Sequence, residues 1–216
     1  LYIATGSDGK SGLFLSGKKI ASFDFIDHLS WNPRAGAPSY SGKSGEELLI
    51  TNGDATYGPY RGDCEDIAFS PDFRSFSFGV RDAVTGQVSI YKDGTLHGKI
   101  PTLCEIIYSP DGSEIAYSTA VLGGRNSVYF KGQRFDAYES MLLDIHFAPD
   151  NSAIVFRTRI KEKDYIASSA GLLSGPFDRV GEPSVSPDGR MVSYIYFTGD
   201  SVFRRTESIA GKGDSY

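Results

Sequence analysis

Five residues recur at one place in a repeated unit. His28, Asp66, Glu105, Asp144 and Glu182 each stand four residues before the residue that opens a prolyl corner. Four are carboxylates, so their chemistry is that of oxygen ligands and negative charge. If the units succeed one another around an axis, these positions form a ring, and the carboxylates converge near one mouth of a channel. Such a ring could hold a hard cation such as Ca²⁺ or attract a basic segment of a partner. Mutual repulsion would raise some of their pKa values. The plainer role, in which each accepts backbone N–H groups and faces solvent, is preferred.

Other chemistry finds less support. His28, His97 and His146 share no ligand spacing, and with two cysteines there is no Cys/His cluster for a transition metal. His146, beside Phe147, reads as a hydrogen-bonded histidine between repeats. Cys64 and Cys104 sit at matching points of consecutive units and read as free thiols. No Gly-x-Ser-x-Gly elbow is present. Ala37 to Ser44 loosely fits a phosphate loop, but a strand follows it where a helix is needed. Arg61-Gly62-Asp63 matches the integrin tripeptide, yet a connection between strands accounts for it. A pair of catalytic carboxylates around a channel, as in propeller glycosidases, stays open.

The elements that position these residues follow from the corners. Phe69-Ser70-Pro71-Asp72, Tyr108-Ser109-Pro110-Asp111-Gly112, Phe147-Ala148-Pro149-Asp150-Asn151 and Val185-Ser186-Pro187-Asp188-Gly189 are near copies, and Trp31-Asn32-Pro33-Arg34 is a degraded one. Their prolines fall at 33, 71, 110, 149 and 187, at nearly constant intervals. Proline fixes φ near −65°. Asp72, Asp111, Asp150 and Asp188 fold onto nearby N–H groups, and Gly or Asn then takes the left-handed conformation. Phe73 fills that last place in one unit, so its turn is expected to differ. The aromatic residue before each corner (Trp31, Phe69, Tyr108, Phe147) is expected to pack between successive units.

Alternating strands flank each corner, followed by a third and a weaker fourth strand. Four antiparallel strands per unit of about 40 residues is the pattern of a propeller blade. Residues 1–26 supply three strands with no corner before them, and two strands follow the last corner. The fold class is all-β, a single β-propeller domain over 1–216 with five or six four-stranded blades, six favoured and the terminal ones incomplete. The Gly/Ser/Pro-rich stretch from Ala35 to Gly45 reads as an extended turn.

The Ser-Pro-Asp-Gly corner followed by Ile115-Ala116-Tyr117 resembles the WD-repeat-like units of TolB-type β-propellers, over nearly the whole chain. The Trp-Asp and Gly-His signatures of true WD repeats are missing. The resemblance implies a fold and a bacterial periplasmic or secreted setting.

Composition bounds the rest. The 216 residues carry 22 Lys and Arg against 27 Asp and Glu, a formal net charge of −5, which argues against nucleic acid or an anionic membrane surface as the main partner. No apolar run is long enough to cross a membrane. The chain opens at Leu1 without a basic-then-apolar leader, so a leader was removed or the sequence starts inside a longer chain. The expected function is a non-enzymatic, monomeric scaffold that binds a protein or peptide through one mouth of the ring, with no cofactor beyond Ca²⁺ at the acidic ring. The alternatives are a carbohydrate-active hydrolase or lyase, or the propeller part of a peptidase-like chain.

Overall fold

The computed structural model describes residues 1–119, 126–136 and 145–209. The chain divides into two compact units, 1–103 and 104–216. The first holds three antiparallel sheets: β1 (Tyr2–Thr5), β2 (Ser11–Leu15) and β3 (Lys18–Phe23); then β4 (Phe25–Asn32), β5 (Ala37–Ser44), β6 (Glu47–Asn52) and β7 (Ala55–Arg61); then β8 (Asp63–Phe69), β9 (Phe76–Arg81), β10 (Val88–Lys92) and β11 (Thr95–Ile100).

The second unit holds three more: β12 (Glu105–Tyr108), β13 (Ile115–Ser118), β14 (Ser127–Phe130) and β15 (Gln133–Asp136); then β16 (His146–Phe147), β17 (Ile154–Ile160), β18 (Lys163–Ser168) and β19 (Gly171–Phe177); then β20 (Arg179–Val180), β21 (Ser184–Val185), β22 (Met191–Thr198) and β23 (Ser201–Ser208). The all-β propeller class holds, with six antiparallel sheets among the described residues. The first blade lacks its corner strand, as the sequence predicts. In the sixth, β20 and β21 pair with the same edge of β22 while β23 takes the other edge throughout. They are one first strand interrupted at residues 181–183, so Arg179 and Val180 belong to this blade and not to the end of the preceding one.

Within each unit, successive blades pack face to face. Leu48 and Ile50 meet Phe76, Phe78 and Val80. Ala116, Val128 and Phe130 meet Ile145, Phe147, Ile154 and Phe156. Strand β17 shows the physical rule: Ile154 and Phe156 turn to the preceding blade, while Val155 turns to the next one beside Val192 and Tyr194. A strand buried on both faces must be apolar at successive residues, not only at alternate ones.

The corners repeat one hydrogen-bond network. The Ser70, Ser109 and Ser186 hydroxyls donate to Asp72 (2.8 Å), Asp111 (2.7 Å) and Asp188 (2.5 Å). The same oxygens accept the N–H of Ser75, Glu114 and Met191, each at 2.9 Å. The four aspartates accept the N–H two residues on, from Arg74, Ser113, Ser152 and Arg190. Phe73 corrects the expectation of a different turn. It sits at φ 57°, like Asn151 at 56° and Gly112 at 75°, and its N–H closes the same bond, to Ser70 O at 2.9 Å. Its ring lies 5.7 Å from that of Phe69 in a tilted contact, so the network and that contact hold an aromatic residue where glycine is the easier choice.

These hydrogen bonds hold all four carboxylates below the usual range, led by the Arg74 N–H for Asp72, the Ser113 N–H for Asp111, and the Ser152 and Ser186 hydroxyls for Asp150 and Asp188. A carboxylate whose folded pKa is depressed contributes stability above its unfolded pKa of about 4, and that contribution is lost as pH falls through the folded value. The melting temperature is therefore expected to be flat with respect to these groups from pH 7 to about pH 5 and to drop steeply below about pH 4. Thermal melts from pH 7 to pH 2 check this, and an unchanged midpoint at pH 2 contradicts it.

Two further expectations are corrected. The Ala35–Gly45 stretch is not an extended turn, because Ala37–Ser44 forms β5, between β4 and β6. Its small residues answer to packing: a Cβ on Gly42 would fall 2.6 Å from the Phe23 ring, and Ser39 donates to Asn52 Oδ1 at 2.6 Å. A phosphate loop at this place is excluded by the same strand. Trp31 is 42% exposed and so is not an inter-blade core residue. No helix among the described residues is long and apolar enough to cross a membrane.

Candidate functional site

The repeated carboxylate positions do not share one geometry. Asp66 pairs with Gly79 and Glu105 with Ser118, three residues before Phe69 and Tyr108 in each case, so these two are in register. His28 lies in a bulge of β4 with φ 52°, and Glu182 lies in the break between β20 and β21. Asp144 lies outside the described residues. His28 and Asp66 belong to the first unit, Glu105 and Glu182 to the second.

In the first unit, His28 Nδ1 is 3.2 Å from the Ser41 hydroxyl, and the Asp27 carboxylate accepts the His28 N–H at 2.8 Å. Cys64 lies alongside, its thiol outside any disulfide. Burial, with the Asp66 carboxylate second, pushes the Cys64 thiol up to about 12. That thiol stays protonated and is a poor nucleophile. The space beside these groups is about 50 Å³, which suits a water and no substrate.

The second unit carries a larger feature. An open cavity of about 730 Å³ runs over the first strands of its three blades, β12, β16 and β21. Each of these stands at the edge of its sheet or, for β21, on the outer side of β22. Ile107, Tyr108, Ile145 and Phe147 give it an apolar floor. Three prolines, Pro110, Pro149 and Pro183, shape its walls. Two of them are the corner prolines, so the repeat that sets the fold also sets this groove.

Its charged equipment is small. His146 Nε2 is shielded from water and lies 3.4 Å from Glu182 Oε1, without a hydrogen bond. The expected inter-blade hydrogen bond of His146 is thus an unbonded contact at Nε2. Glu182 is 68% exposed in its side chain. Glu105 does not line the groove; it accepts the Ser118 hydroxyl at 3.5 Å. Among the described residues no cluster of three His, Cys, Asp or Glu side chains is placed to hold a metal ion. Of the candidate histidine and carboxylate residues among those described, the structure brings His146 and Glu182 together here. Ile107, Tyr108, Pro149 and Pro183 went unseen as site residues, because an aromatic residue next to a repeated corner reads as packing. The available signal was Pro183, which adds a second proline four residues before Pro187.

No family model matches the chain, and no curated protein matches it. Solved structures do. TolB from Acinetobacter baumannii is 18% identical, over 94% of this chain and 57% of that one, with a TM-score of 0.43. The chain thus spans little more than half of that protein's length. A putative TolB from Agrobacterium tumefaciens is 16% identical, over 90% of this chain and 82% of that one, with a TM-score of 0.39. The Dos1 propeller is 10% identical, over 98% of this chain and 67% of that one, with a TM-score of 0.47. What the chain is similar to, over most of its length and at low identity, is TolB and other propeller structures.

Proposed function

We propose that the protein is a non-enzymatic β-propeller scaffold that binds a protein or peptide segment, and that the groove over β12, β16 and β21 is the binding surface. The observation that carries the reading is the groove's lining: Ile107, Tyr108, Ile145, Phe147 and Val185 with three prolines, interspersed with His146, Glu182 and Ser184, on three strands. Tyr108 offers a large contact area at low cost in side-chain entropy. Edge strands suit an extended segment, which can add main-chain hydrogen bonds to side-chain contacts. Paired-acid hydrolysis gains no support from the lining, where Glu182 is the one carboxylate among the described residues. The setting that goes with this reading is periplasmic or secreted, as the resemblance to TolB-type propellers implies.

The test is a peptide-display selection on the protein, with the captured sequences then measured on the wild type and on Tyr108→Ala. Loss of a central aromatic anchor is expected to weaken binding by about tenfold or more, with the circular dichroism spectrum unchanged. Equal binding to the two proteins overturns the assignment of this groove.

A further inference from the structure

Resting on that reading, we infer that the groove selects an extended segment in which an apolar residue is flanked by arginine or lysine. The charge of the lining is one-sided. Among the described residues, Glu182 contributes a carboxylate, His146 an imidazole, and no Lys or Arg lines the space. The carboxylate is 68% exposed at the side of a floor formed by Ile107, Tyr108 and Phe147. A ligand side chain seated on that floor places its neighbours within reach of Glu182. A cation there gains an ion pair, and an anion meets repulsion in a site that offers it no positive partner. His146 Nε2 lies 3.4 Å from Glu182 Oε1 without a hydrogen bond to it, so that carboxylate oxygen is left to a ligand donor. Arginine suits the place better than lysine, since its planar fork can engage the carboxylate through two bonds while its stem lies along apolar surface.

Three fluorescent host peptides test this, Gly-Ser-Xaa-Phe-Xaa-Ser-Gly with Xaa as Arg, Gln or Glu, titrated into the wild type, Glu182→Gln and Tyr108→Ala. Because Glu182 is largely exposed, the expected preference on the wild type is modest: about threefold for the Arg peptide over the Gln peptide, and about tenfold over the Glu peptide. Glu182→Gln should bring all three within about twofold, and Tyr108→Ala should weaken all three alike. If the wild type binds the three peptides equally and Tyr108→Ala still weakens them, the charge preference is wrong and the groove remains the binding surface. If the peptides bind and Tyr108→Ala leaves every one unchanged, the groove reading itself fails. If none binds at millimolar concentration, the proposed ligand class is wrong.

Discussion

Phe147→Ala is expected to cost about 3–5 kcal/mol of unfolding free energy, measured by chemical denaturation. Phe147 is 9% exposed and stands where two blades meet. Its ring lies edge-on to Phe130 of the preceding blade, with centroids 5.6 Å apart, and it joins Ile145, Ile154 and Phe156 in one apolar cluster. Removing the ring deletes contacts on both sides of the blade boundary. The strands around it are tied by register and cannot close the gap fully. Phe147→Leu, which keeps most of the volume, should cost much less. A loss below about 1 kcal/mol for the alanine variant would show that blade-to-blade packing does not carry the stability assigned to it here.

Gly62→Ala is expected to cost about 2–5 kcal/mol, from overpacking and an unfavourable backbone region together. Gly62 sits at φ 140°, and a Cβ there would lie 1.9 Å from the carbonyl oxygen of Arg81. That carbonyl cannot retreat. Arg81 pairs with both Asp63 and Val88, and its guanidinium bonds Glu65 Oε1 at 2.5 Å, Glu65 Oε2 at 3.0 Å and the Gly86 carbonyl at 2.9 Å. Gly86→Ala is the matched control. It has φ 69° and open space around the would-be Cβ, so it should cost only about 1–2 kcal/mol. Equal losses in the two variants would contradict the steric account. The Arg61-Gly62-Asp63 tripeptide thus has a structural reason for its glycine: a close approach between β8 and β9.

The repeated corner made most of the blade architecture legible from sequence alone, because Ser-Pro-Asp-Gly is a local structure with its own hydrogen bonds. Ser109 with Asp111 behaves as its residue types dictate, and the succession of sheets follows from the spacing of the corners. The misreadings fall where tertiary contact overrides local preference. Phe73 takes a left-handed conformation because the corner's hydrogen bonds and the Phe69 ring hold it there. The Ser- and Gly-rich β5 resembles a loop in isolation, and only the nearness of Phe23 explains why small residues form a strand there. For the site, sequence position placed His28, Asp66, Glu105 and Glu182 as equivalents, but a bulge at His28 and a strand break at Glu182 set two of the four apart. The groove itself was not legible, since it is made of side chains from three separate strands whose aromatic members look like core residues one at a time.

Hydrogen exchange, followed by mass spectrometry with and without a saturating display-selected peptide, tests the central claim most directly. The account predicts new protection in segments 105–110, 145–149 and 182–185 together, since the three first strands form one surface. Protection confined to other strands, with those three segments exchanging as in the free protein, would contradict it.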